Sequence, residues 1–243
     1  EIILRLTSGR TILYPLTIPE GYRITEIASL LDTQGLASSE VFILQTQDKD
    51  LIKSMDIPTD SLEGYLFPET YYLSKLTPEK KIVQKMVNTF KEKVLKSQLL
   101  KSTKESPLSL HEIITLASLI EKETGLDSER KLISSVFHNR LRKNMRLQTD
   151  PTVIYAIEKF DGNIRKRDLK IDSPYNTYRY KGLPPGPISS PGIKSIEAAI
   201  FPIKSNHLYF VSRQDGSHHF SSTLVEHNQA VKKYQLRKVN SRR

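Results

Sequence analysis

The sequence predicts an α+β fold: a mostly helical main domain with small sheets or hairpins and one long Pro/Gly-rich loop, preceded by a small α/β subdomain. Three observations predict it. Apolar stripes recur at helical spacing behind recognisable caps. Strand-like alternation stands near the start and a hairpin pattern near the end. A Tyr-, Pro- and Gly-rich stretch over 173–192 shows neither period.

Residues 11–18 alternate as a strand does, and Pro19-Glu20-Gly21 closes them. Thr25 is placed to cap a helix through Ile27, Ala28, Leu30 and Leu31 that ends at Gly35. A second short helix after Ser39 carries Val41, Phe42 and Leu44, and the run from Leu62 to Tyr71 reads as turns. Thr77-Pro78 opens a long helix, with proline where its missing N–H costs nothing. Ile82, Val83, Met86, Val87, Phe90 and Val94 form its apolar stripe. Ser109 with Glu112 makes a capping box for a helix through Ile113, Leu116, Ala117 and Ile120, stopped at Gly125. A helix from Ser128 buries Leu132, Ile133, Val136, Phe137 and Leu141, and Asp150-Pro151 starts another through Val153, Ile154 and Ile157.

Between Ser173 and Gly192 lie three tyrosines, and six prolines or glycines fall between Gly182 and Pro191. This predicts a long ordered loop, pinned by proline and given something to bury by tyrosine. Loops of this length inside compact domains are usually functional. Ser190-Pro191 start a helix through Ile196, Ala199 and Ile200. Leu208–Val211 and Phe220, around an Asp215-Gly216 turn, form a hairpin, and Thr223 with Glu226 caps the last helix.

The 243 residues, 37% hydrophobic and 26% charged, can bury a sizeable core under a polar surface. No run approaches the ~18 apolar residues that a membrane span needs. Because the chain starts at Glu1 rather than Met, an upstream segment is expected, and it could hold a signal or an anchor. The absence of cysteine excludes disulfides, thiol nucleophiles and thiolate metal sites. The net charge of +10 fits a polyanionic partner or simply a solvated surface. It concentrates at Arg165–Arg167 and Lys232–Arg243, neither with interleaved aromatics at the spacing of a single-strand binder, and no helix-turn-helix stands out, so nucleic acid is not an expected partner.

The helix from Ser109 to Thr124 carries the candidate chemistry. At ~100° per residue, Glu121 and Glu123 fall on opposite shoulders of its apolar face and Lys122 points away into solvent. Both acids could be ordinary boundary residues. Glu123, however, sits in the last turn, where unpaired carbonyls disfavour a carboxylate. Partial burial pushes the same way, and a nearby Glu121 or Asp127 could only add to it. A carboxylic acid kept protonated near neutral pH is what protonating a glycosidic oxygen requires.

The run Ala117-Ser118-Leu119-Ile120-Glu121-Lys122-Glu123-Thr124 resembles the helix that carries the catalytic Glu in MltG/YceG-like endolytic murein transglycosylases. The resemblance continues through Ser128-Glu129-Arg130, Val136 to Leu141, Met145 to Tyr155, Tyr175-Asn176-Thr177-Tyr178, Gly182 to Ile188, Pro191-Gly192 and Leu208 to Val211, with Glu63 to Thr70 upstream. It implies that Glu123 acts first as acid and then as base on the MurNAc–GlcNAc bond of peptidoglycan strands, with no metal or cofactor. It further implies residues 76–243 as the catalytic domain, 11–75 as a small α/β subdomain and linker, and 1–10 as the tail of a truncated LysM-like module. An N-terminal single-pass anchor in the bacterial inner membrane, a periplasmic or outer-side location and cell-wall synthesis proteins as partners are also expectations of the family.

Glu121 is expected to orient a neighbour at the substrate site. Gln148, Thr149 and Asp150 can bond sugar hydroxyls and acetamido groups, although Thr149 or Asp150 could equally cap the helix that Pro151 begins. Tyr175, Asn176, Thr177 and Tyr178 either line a sugar groove or hold the loop. His218 and His227 lack zinc-site spacing and read as structural or surface residues. The competing function is a glycan- or anionic-surface-binding module without catalysis.

Overall fold

A computed structural model describes residues 12–57, 59–97 and 107–236. The expected tail module at 1–10 and the basic residues from 237 onward lie outside the described residues. The fold is α+β, with two separate two-stranded antiparallel sheets among the described residues.

The expected first strand forms as β1 (Tyr14–Thr17), and it pairs with β2 (Thr70–Leu73), which begins inside what reads in sequence as turns. Between them stand α1 (Ile24–Thr33), α2 (Ser39–Thr46) and α3 (Lys49–Ser54). The cap of α1 is Arg23, not Thr25, and Glu26 returns a bond to the Arg23 N–H. Glu63 accepts the next donor, the N–H of Ile24, at 3.1 Å. The six-residue α3 is too short for a periodic stripe to reveal it.

The long helix α4 (Glu79–Phe90) follows Pro78 and widens into a π turn over Lys91–Leu95. Its whole expected stripe is buried. α5 (Leu110–Glu123) has the capping box of Ser109 and Glu112 and ends at the extended Thr124. The sequence predicts one buried face for α5, yet every residue from Ile113 to Ile120 is buried. It is a central helix. α6 (Asp127–Arg142) packs against it, then come α7 (Asp150–Ala156) and α8 (Ile193–Ile200). The hairpin β3 (Tyr209–Ser212) and β4 (His218–Ser221) leads to α9 (Leu224–Val231), whose Thr223–Glu226 capping box forms as expected.

The loop over 173–192 has no regular element and runs along α5 from its start to its end. The His111 imidazole bonds the Pro185 carbonyl at 2.9 Å, the Ser118 hydroxyl accepts from the Ile188 N–H at 3.0 Å, and Glu121 accepts from the Gly192 N–H at 2.8 Å. The loop is also tied to the β1–α1 turn, by Gly21 N–H to Ser190 carbonyl and Ser190 N–H to Tyr22 carbonyl. One hydrophobic cluster therefore runs from Leu16 through α4 and α5 to Ile196 and Ala199.

Gly64 packs tightly against this loop. Its φ is +83°, and a Cβ there would lie 2.4 Å from the Pro187 side chain and 3.2 Å from Ile114. Gly64→Ala combines a left-handed backbone with a clash against a rigid ring. It should lower stability by about 2–4 kcal/mol in urea unfolding. A variant as stable as the parent would show that the loop is not pressed onto α5.

Candidate active site

An open groove of about 450 Å³ lies where the C-terminal end of α5 meets α6, α7, the β3–β4 hairpin and α9. Glu123 lies in it with Arg140, Gln148, Asp150, Tyr178, Tyr209 and His218. The buried body of α5 fixes where that end emerges.

Glu123 is half-buried, and burial pushes its carboxyl up to about 7. The Asp150 carboxylate pushes in the same direction, while the Thr149 hydroxyl, which donates to Glu123 Oε1, and the Arg140 charge pull down, as a proton added to the His218 ring would. The expected direction holds, but the neighbouring acid is Asp150 rather than Glu121 or Asp127. Those two face the other side: Asp127 meets Lys194, and Glu121 pairs with Arg130 Nη1 at 2.8 Å.

Glu121 is thus not half-exposed but nearly enclosed, with a side chain 6% accessible, and it does not line the groove. Arg130 also bonds the Ser195 hydroxyl, so Glu121 joins α5, α6, α8 and the loop. Lys122 is exposed as expected, and its ammonium reaches the Gly21 carbonyl at 3.2 Å.

Thr149 holds the cap position of α7, yet its hydroxyl makes no cap bond. It goes to Glu123 instead. Gln148 lines the groove with a φ of +52°, a conformation that costs a non-glycine residue about 1–2 kcal/mol. Asp150 lines it too, accepting from the Tyr178 hydroxyl at 2.5 Å.

The remaining loop residues divide. Tyr178 lines the groove. Asn176 is wholly buried: its amide donates to the carbonyls of Leu169 and Ile171, and its oxygen accepts from the Tyr178 N–H. Thr177 is buried and accepts from the Thr149 N–H at 3.1 Å. Tyr175 packs on Tyr155 with ring centroids 4.8 Å apart, away from the groove.

Arg140, Tyr209, His218 and His227 also line the groove and were not candidates in the sequence. The Arg140 guanidinium donates to the carbonyls of Leu208 and Leu147, each at 2.6 Å, and lies 5.2 Å from the Tyr209 ring centroid. His227 stacks on the same ring at 5.2 Å. Arg140 and Tyr209 fall inside motif runs quoted above. The two histidines come from β4 and α9, outside those runs, and no spacing rule marks them.

A family model described as the YceG-like family matches residues 1–233. The chain belongs to the YceG-like family. Two relatives are both named endolytic murein transglycosylase. That of Bacillus subtilis (strain 168) is 40% identical over 252 residues, covering 96% of this chain and 69% of its own length. That of Streptococcus pneumoniae serotype 2 is 33% identical over 272 residues, covering 99% of this chain and 49% of its own length. The crystal structure of a yceG-like protein from Listeria monocytogenes shares the fold, with a TM-score of 0.81 and 37% identity over 94% of this chain and 79% of that one. The YceG-like chain described here thus spans about half the length of the pneumococcal relative.

The raised acid has a sign that can be tested in folding. A carboxyl whose folded pKa lies above its unfolded value gives stability that is complete at low pH and lost as pH rises through about 7. Glu123→Gln removes that loss. The variant should match the parent near pH 4 and exceed it at alkaline pH, by at most about 3 kcal/mol, read as melting temperature. Equal melting temperatures at alkaline pH would contradict the raised acid. Asn176→Ala, which strips buried carbonyls of donors, should cost about 1–3 kcal/mol at any pH in the same assay.

Proposed function

We propose that this chain is a peptidoglycan lytic transglycosylase that cuts within glycan strands, with Glu123 as its single acid and base. The observation that carries the reading is Glu123 itself: a carboxyl on an open groove, held near 7 by burial and bonded to a hydroxyl rather than to a cation. About half of such a group is protonated at pH 7, against about 0.3% for a carboxyl titrating at 4.5. The family and the names of its relatives support the substrate class.

In this reading, Glu123 gives its proton to the oxygen linking MurNAc C1 to the next GlcNAc, and the C1–O bond breaks. The muramyl acetamido group supports the charge at C1. Glu123, now a carboxylate, takes the proton from the C6 hydroxyl as O6 bonds to C1. The product is a 1,6-anhydromuramyl end, no water enters, and Glu123 is protonated again for the next cycle. Residues 76–243 form the catalytic domain and 11–75 its companion. The protein works on the outer side of the bacterial inner membrane, held there by an upstream anchor beside cell-wall synthesis proteins.

Asp150 motivates a second reading. Ordinary glycosidases place two carboxylates about the scissile bond, and Asp150 is a second one in the same groove. As a base it would activate water, and the new end would be reducing rather than anhydro. Strands digested in ¹⁸O water and read by mass separate the two: the lytic reading gives anhydro ends without label. Glu123→Gln should lose activity by about 10³-fold or more with the fold retained. The rate should fall as pH rises through about 7, where Glu123 gives up its proton. Labelled reducing ends would give the chemistry to Asp150, and an active Gln variant would remove Glu123 from it.

A further inference from the structure

Across the groove from the loop, a histidine is held as a working group is held. His218 opens β4, and both its imidazole and its backbone are held. Nδ1 lies 2.7 Å from Glu129 Oε2, the His218 backbone N–H donates to Glu129 Oε1 at 2.9 Å, and the ring meets Phe210 edge-on at 5.5 Å and 87°. Both side chains of the pair are only 12% accessible.

Glu129 stands on the first turn of α6, the helix that follows the one bearing Glu123. A carboxylate accepts only, so the proton on the neutral ring belongs on Nδ1, which leaves the Nε2 lone pair free. Among the described residues Nε2 has no hydrogen-bond partner, and it is not one of the buried unpartnered atoms, so it keeps some exposure on a ring that lines the groove. The same logic of an oriented imidazole, held by a carboxylate at one nitrogen and offering the other, recurs where histidine meets substrate.

We propose that His218 contacts the substrate, its Nε2 accepting a hydrogen bond from a sugar hydroxyl beside the bond that Glu123 cleaves, and that Glu129 is its positioning residue. The inference rests on the glycan-cutting reading above and extends it to a second residue. Pinning the hairpin to α6 is the plainer role for this pair. That role needs only the Glu129 bonds and makes no use of Nε2.

Two substitutions split the ring's functions. In His218→Asn the amide nitrogen stands in for Nδ1–H and keeps the bond to Glu129, but nothing reaches the place of Nε2. In His218→Gln the amide reaches the place of Nε2 and gives up the Glu129 bond. With the full chain and purified glycan strands, the Asn variant should hold its melting temperature and lose about tenfold or more in kcat/KM. The Gln variant should melt lower and cut faster than the Asn variant. At alkaline pH, ¹⁵N spectra of the parent should show His218 as the Nδ1–H tautomer, and Glu129→Gln should release that preference. An Asn variant that cuts at the parent rate, or a parent ring protonated on Nε2, overturns the proposal. If the parent chain cuts nothing, the reading as a transglycosylase falls, and strand affinity then decides His218. Binding about tenfold weaker in the Asn variant supports the contact, and equal binding removes it.

Discussion

The structure depends on how the irregular loop is bound to α5. A helix buried on all sides cannot offer its flanks to water, so whatever covers it must satisfy its own backbone groups there. The loop over 173–192 does this without forming helix or strand, by using side chains of α5 as its partners. Ser118 shows how. Its hydroxyl donates to the Thr115 carbonyl one turn back and accepts from the Ile188 N–H, so one small polar residue serves both chains. With His111 at one end and Glu121 at the other, the loop and the helix become one body, and the last turn of α5 has a fixed exit.

Two acids on that last turn meet opposite fates within two residues. Glu121 turns to the side where Arg130 and the Gly192 N–H wait, and each of its oxygens has a partner. Glu123 turns to the groove side, where burial acts on it with a hydroxyl and a second carboxylate as close neighbours. A buried carboxylate given a cation stays a carboxylate, and one given only a hydroxyl tends to keep its proton. The same helix therefore uses one Glu for architecture and holds the other in the groove as a carboxyl pushed up by burial. A second carboxyl, Glu63, is raised to about 7 by burial, yet it accepts from the N–H of Ile24 at the start of α1, a structural use for a similar shift.

Much of this was legible in the sequence, for physical reasons that differ by element. Capping boxes at Ser109 and Thr223 are local, and both form as read. The stripe of α4 is local too. The strand β2 was hidden because its pairing with β1 spans more than fifty residues, as the Thr17–Thr70 contact shows, and no local pattern reports a distant partner. The wheel of α5 separated Glu121 from Glu123 correctly but showed one buried face where tertiary packing closes all of them. The loop was legible as ordered, yet its four central residues were not separable. Burial divides Asn176 and Thr177 from Tyr178, and burial is a property of the assembled fold. Arg140, Tyr209 and the histidines come to the groove from α6, the hairpin and α9, and only the fold brings them together.

Arg140 shows why the acid stops near 7 and goes no lower. A guanidinium ion-paired with Glu123 would hold it as a carboxylate and end its use as an acid. Among the described residues Arg140 makes no ion pair with Glu123, and its own bonds lead elsewhere. Its Nε and Nη1 are committed to the carbonyls of Leu208 and Leu147, and the Tyr209 ring lies against the guanidinium. Its charge reaches Glu123 only as a field, and burial of the acid outweighs that field. Those same bonds tie α6 to the start of β3 and to the strained turn before α7. The residue that moderates the acid also holds the walls of the groove around it.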